Sequence, residues 1–149
     1  MSTVESSRAV RPNLGARRLA SLLIPPLAVM AVIFYLSDQP NLLPTHGVFQ
    51  TVVRKTFHVT EYAILTFAWW RAVHGLVRNL GKWAELAVAV SVTLAFSISD
   101  EFHQSFVAGR HGTPRDVAID AIGMAIAVVL VLALYARRRR VGPSRPSAA

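Results

Sequence analysis

The chain has 149 residues, 53% of them hydrophobic and only 16% charged, with a mean hydropathy of +0.42, which is too apolar for an ordinary soluble domain and excludes disorder outside the Ser-, Pro- and Arg-rich termini. Cysteine is absent, so disulfide frameworks, zinc–thiolate centres and thiol nucleophiles are excluded together. The net charge is +8, but the 16 basic residues bracket apolar runs and do not interleave with aromatics along a polar stripe, so they mark juxtamembrane anchors and exclude a nucleic-acid surface.

Taken in chain order, residues 1–18 form a basic tail carrying Arg8, Arg11, Arg17 and Arg18. Residues 19–37 are then free of charge, about enough helix to cross a hydrocarbon core of about 30 Å. Pro25-Pro26 predicts a kink in this first span. The run ends Phe34-Tyr35-Leu36-Ser37-Asp38 without a small-x-small cleavage pattern, so it is expected to be an uncleaved anchor. Three further spans are less clean. The stretch 57–76 contains His58, Glu61 and Arg71, 86–99 ends in Asp100-Glu101, and 121–136 is preceded by Asp116 and Asp120. Each reaches bilayer length only if ionisable residues at one end enter the membrane, where they are costly unless they face a bundle interior. The expected fold is an all-α membrane protein, a four-transmembrane-helix bundle over 19–137 with helices at 19–36, 54–76, 83–104 and 115–137, followed by a disordered basic tail at 138–149. A soluble four-helix bundle is the competing reading; the first and fourth segments, apolar all round, argue against it.

Four spans place twelve of the 16 cations on one side, including Arg71, Arg78, Lys82 and the Arg137 to Arg140 run, and leave Arg54, Lys55, Arg110 and Arg115 on the other. The positive-inside rule makes both termini cytoplasmic, with Trp69, Trp70 and Trp83 near the inner interface. On this reading the cytoplasmic end holds cations and almost no other polar constellation, while the outer end gathers the rest. At about 100° per residue, Lys55, His58, Glu61 and Tyr62 share one face of the second helix, and Asp100, His103 and Gln104 share a sector of the third. Asp116, Asp120, Gly123 and Ala127 form a narrow stripe on the fourth, and Gly123-x-x-x-Ala127 permits close approach of another helix. Three polar stripes therefore converge on one outward-opening pocket. Taken singly, Asp100-Glu101 and Asp116 can be read as loop charges at a helix end, Arg110 and Arg115 as solvated and Lys55 as snorkelling; His58 and Glu61, inside an apolar run, need partners. The short Gly109-Arg110-x-Gly112-x-Pro114 loop is expected to fold Arg110 back over the site, where its guanidinium can clamp the carboxylate of Glu101 or Asp116.

Lys55-x-x-His58-x-x-x-Tyr62, Asp100-Glu101-x-His103-Gln104, Gly109-Arg110 and Asp116-x-x-x-Asp120-x-x-Gly123, in that order between hydrophobic spans, resemble the VanZ-like family of small bacterial membrane proteins over about residues 30 to 130. Phe34 to Pro40 is similar to that family's end of the first helix. The resemblance implies a link to glycopeptide (teicoplanin) resistance and envelope physiology. Two positions depart from the pattern: Asp120 stands where Asn is common, adding a titratable group, and Ala127 where a second Gly is usual.

Three functions follow. In an enzyme acting on a lipid-linked envelope molecule, Glu101 or His103 serves as general acid or base, held by Asp120 or His58. Lys55, Arg110 and Arg115 then receive a phosphate or carboxylate, with Tyr62, Gln104 and Asp116 completing the binding set. In a binding module the same residues recognise an anionic head group, a cell-wall precursor or an antibiotic without chemistry. In a proton-coupled exporter Glu61 carries the proton, and four helices per chain then require a homodimer. His58, Glu101, His103 and Asp120 are chemically suitable metal ligands, but no His-Glu-x-x-His or related spacing occurs, so no metal ligand and no cofactor is assigned. Membrane lipids are the remaining expected partner.

Overall fold

The computed structural model describes residues 14–39, 48–77, 79–110 and 112–140. They form four α-helices, α1 (Leu14–Ser37), α2 (Val48–Leu76), α3 (Lys82–Gln104) and α4 (Pro114–Arg140). The helices begin or end beyond the expected bounds at α1, α2 and α4 because those bounds were drawn at charges. Arg and Lys are good helix formers and do not stop a helix. Most of the expected basic tails, with Arg8, Arg11 and Arg145, and Pro40 of the Phe34 to Pro40 motif lie outside the described residues.

Three helical stretches, Gly15–Ser37, Lys82–Gln104 and Pro114–Arg138, are long and apolar enough to cross a membrane. Helix α2 is longer still at 29 residues, but its polar face dilutes its hydropathy. That face turns inward, with Tyr62 fully buried and His58 largely so, while Phe57, Ile64 and Phe67 are exposed. The same inversion holds elsewhere: Ile24, Phe34, Ile122, Val129 and Leu130 face outward, and Asp100, Glu101 and Asp120 are inside. Apolar surface on this scale marks a lipid-facing exterior and removes the soluble-bundle reading.

Contacts between helix ends define an antiparallel order. The end of α1, start of α2, end of α3 and start of α4 meet at one end of the bundle, where Ser37 bonds Asp100 and His58 meets Asp120. At the other end the start of α1 meets the end of α2, and the start of α3 meets the end of α4, through Arg18 to Gly75 and Tyr135 to Glu85. Ile33, Tyr62, Leu65 and Met124 pack the middle, and Trp70, Leu86, Ala89 and Val131 pack nearer the second end. Gly123 fulfils the expectation of close approach: a Cβ there would run into the Val59 carbonyl of α2. Ala127, one turn on, is buried at the same interface stripe.

Helix α1 runs unbroken through Pro25 and Pro26. Pro25 has no N–H, so the carbonyl of Ser21 loses its helical donor. Arg71 Nη1 of α2 donates to that carbonyl at 3.1 Å, satisfying it and fastening α1 to α2.

Candidate functional site

The 3- and 4-residue spacing on α2 sets Lys55, His58 and Tyr62 one above another, facing the end of α3 and the start of α4. Tyr62 reaches deepest. Its hydroxyl donates to Asp100 Oδ2 at 3.3 Å, and the same oxygen accepts from Ser37 Oγ at 2.8 Å and Gln104 Nε2 at 2.9 Å. Asp100 is therefore a knot tying α1, α2 and α3 together at 1% exposure, while its other oxygen, Oδ1, has no hydrogen-bond partner among the described residues. Three donors on one carboxylate oxygen fix the rotamer.

Beside this knot lie His58, Glu101 and Asp120, one from each of α2, α3 and α4. His58 Nδ1 is 3.1 Å from Asp120 Oδ1 and 4.0 Å from Glu101 Oε1. Ser97 Oγ donates to Asp120 Oδ2 at 2.6 Å, and the Thr113 backbone N–H donates to Glu101 Oε2 at 3.1 Å. Asp116 accepts from Thr113 Oγ1 at 2.7 Å and lies 3.7 Å from Lys55 Nζ at the rim. The Thr113 contact depends on Gly112, whose Cα lies so close against the Glu101 carbonyl that a Cβ would overlap it.

Arg110 folds back over the site, as the short Gly-punctuated loop predicts, with Gly109 at φ 79° making the turn. Its acceptors differ from the expected carboxylate of Glu101 or Asp116. Nη2 donates to the Leu36 carbonyl at 2.7 Å, Nε to the Gln39 carbonyl at 2.9 Å and Nη1 to Gln104 Oε1 at 3.3 Å. The guanidinium thus caps the carbonyls released at the end of α1 and holds the Gln104 amide in the orientation that serves Asp100. Burial and the nearby Arg54 draw its pKa below the ordinary value, against Asp100, Glu101 and Glu61, and the group stays charged.

Of the expected site residues, Lys55, His58, Tyr62, Glu101, Gln104, Arg110, Asp116 and Asp120 join this connected network. His103 does not. It stacks on Phe34 at 4.5 Å and stands 3.5 Å from Asp38, on the α1 side of α3. Arg115 is exposed at the start of α4, outside the network. Ser37, Ser97 and Thr113 are network members to which sequence reasoning gave no role; a hydroxyl's partner across helices leaves no local pattern.

The opposite end corrects a firmer expectation. It holds a second polar cluster, in which buried Glu85 accepts from Tyr135 OH at 2.6 Å, Trp70 Nε1 at 3.2 Å and lies 2.9 Å from His74 Nδ1. Trp70 is 6% exposed and belongs to the core, whereas Trp83, at 63%, faces outward. The available signal was the spacing of His74 and Glu85 on either side of a short helix connection, which brings them together once α2 and α3 pack antiparallel.

A helical bundle with apolar outer faces and ionisable side chains gathered inside its ends is a helical membrane protein with an interior polar site. The VanZ/LLP1 family model matches residues 13–135, and the chain belongs to that family. Neither the curated proteins nor the solved structures gave a match.

Proposed function

We propose that this protein spans the bacterial inner membrane four times with both termini cytoplasmic, and that the His58–Glu101–Asp120 end opens outward as a site that binds or acts on a lipid-linked envelope molecule. The observation that carries the reading is the burial of Asp100, Glu101 and Asp120 at 1%, 5% and 0% exposure around His58, an arrangement expensive to maintain between lipid-facing helices without a use. Lys55 supports the lipid-linked part. It stands on the wall of an otherwise apolar groove between α2 and α4, about 370 Å³ in volume and lined by Val52, Thr56, Val59, Ile119 and Ile122. A prenyl or acyl chain fits that lining, and the ammonium, paired with Asp116 at 3.7 Å at the rim, is placed for the chain's phosphate. Behind it, His58 and Glu101 supply a proton donor and acceptor, Asp120 orients His58, and Tyr62, Gln104 and Arg110 hold the frame. The expected role of His103 moves to His58, because His103 is turned towards α1.

The test is titration of a fluorescent short-chain polyprenyl phosphate into the full chain in nanodiscs, followed by product analysis. Saturable binding that weakens at least tenfold, about 1.4 kcal/mol, in Lys55→Ala supports the reading. Binding indifferent to Lys55 overturns it. Turnover that disappears in Glu101→Gln separates an enzyme from a binding module, and complementation of a deletion strain scored for teicoplanin susceptibility connects either to resistance.

A further inference from the structure

We propose that His58, Glu101 and Asp120 form a binding site for one divalent cation of the kind an imidazole–carboxylate set accepts, Zn²⁺ or Mn²⁺. This goes beyond the lipid reading and stands independently of it, since occupancy by the cation is read directly.

The first support is convergence. One ligand atom from each residue lies within 4.8 Å of the other two, although the residues come from three helices. Zinc sits about 2.0–2.2 Å from nitrogen and oxygen ligands, so ligand atoms around one ion stand about 3–3.5 Å apart. His58 Nδ1 and Asp120 Oδ1 are already at 3.1 Å, and Glu101 Oε1 is 4.0 Å from the imidazole nitrogen.

The second support is the way the carboxylates are held. Each has one oxygen taken by a donor outside the trio, Ser97 Oγ on Asp120 Oδ2 and the Thr113 N–H on Glu101 Oε2. The oxygens facing His58 are Asp120 Oδ1 and Glu101 Oε1, the latter also 3.5 Å from Gln104 Nε2. Outer partners that fix one oxygen and aim the other are how metal-binding carboxylates are oriented.

The third is charge. Asp100, Glu101 and Asp120 are all nine-tenths or more buried, and Asp100 Oδ1 has no donor among the described residues. Lys55 pairs with Asp116, and Arg110, whose hydrogen bonds go to two backbone carbonyls and an amide, is the charge set against Asp100 and Glu101. Three buried carboxylates still outnumber that guanidinium and the His58 imidazole, and a divalent cation among them offsets the cost of their burial. The Glu85 cluster at the opposite end has no such deficit, because its single carboxylate meets Trp70, His74 and Tyr135. Three protein ligands leave coordination positions for water or for an oxygen of a bound anion.

The full chain in nanodiscs, stripped with EDTA, is titrated with Zn²⁺ against a fluorescent chelator, and stoichiometry is taken from native mass spectrometry. The expected result is one Zn²⁺ per chain, bound at least tenfold more weakly by His58→Ala and Asp120→Asn, about tenfold more weakly by Ser97→Ala, and unchanged in His74→Ala. Absence of a saturable site in the parent overturns the proposal. So does a site that survives both His58→Ala and Asp120→Asn, or one lost in His74→Ala. If a ligand variant fails to fold, Ser97→Ala decides, since it removes only an outer hydroxyl.

Discussion

Replacing Arg110 with Lys separates charge from geometry. The guanidinium spreads three donor nitrogens over three acceptors, the Leu36 carbonyl at 2.7 Å, the Gln39 carbonyl at 2.9 Å and Gln104 Oε1 at 3.3 Å. An ammonium gathers its donors on one atom and keeps about one of these bonds. Hydrogen bonds from a charged donor contribute about 1.5–3 kcal/mol each; at a half-buried site the low end applies, so Arg110→Lys loses about 3 kcal/mol and Arg110→Ala about 4.5. The loss falls on stability, because the acceptors are the carbonyls that end α1 and the amide that orients Asp100. Unfolding midpoints in a mixed-micelle denaturant series, with expression and insertion matched, give the comparison. A cysteine pair at Phe34 and His103, whose rings stack at 4.5 Å outside the network, introduced into a chain that has no cysteine, reports whether α1 and α3 still meet. An Arg110→Lys variant as stable as the parent, with unchanged cross-linking, would refute the capping argument and return Arg110 to a general source of positive potential.

Glu85→Ala leaves the Trp70 N–H, His74 and the Tyr135 hydroxyl without their shared acceptor. It should cost about 3 kcal/mol in the same denaturant series while polyprenyl phosphate binding at the far end stays unchanged; a binding loss as large as that of Lys55→Ala contradicts the separation of the two clusters. For the proposed topology, single cysteines at Asn79 and Ser147 should resist an impermeant maleimide in intact cells, and one at Ala108 should react; the reverse pattern inverts the protein in the membrane.

What the sequence disclosed was what period and composition encode. Four helices, an inward polar stripe on α2 and a small-residue seam at Gly123 all follow from spacing within one helix, and the structure has each. His103 shares its sector of α3 with Asp100 and Gln104 by helical period, yet Phe34 and Asp38 of α1 draw its ring away from them. Arg110 was assigned carboxylate acceptors because carboxylates are visible in a sequence; backbone carbonyls at Leu36 and Gln39 are not. The Glu85 cluster was missed for a related reason. Trp70 and Tyr135 are 65 residues apart and touch only after three helices pack, and each alone resembles an interfacial aromatic.

The same limit explains why ligand spacing could not find the His58–Glu101–Asp120 trio. Motifs such as His-Glu-x-x-His work because one helix supplies both imidazoles at fixed angle; here each helix supplies one group, and the alignment is made by helix packing. That packing rests on Gly123 against Val59 and on Gly112 against the Glu101 carbonyl, so the site's geometry is inherited from two glycines that carry no chemistry. The two ends of the bundle then differ in what they leave undone. Glu85 is enclosed by donors from α2 and α4 and holds the helices in register, as a saturated polar cluster does. At the other end Asp100 Oδ1 lacks a donor among the described residues, and Glu101 and Asp120 share one imidazole, an incomplete set whose cost the rest of the fold must offset. A buried cluster completed from within rigidifies; one that lacks a cation or a ligand is completed from outside, and that asymmetry is the physical ground for placing function at the His58 end.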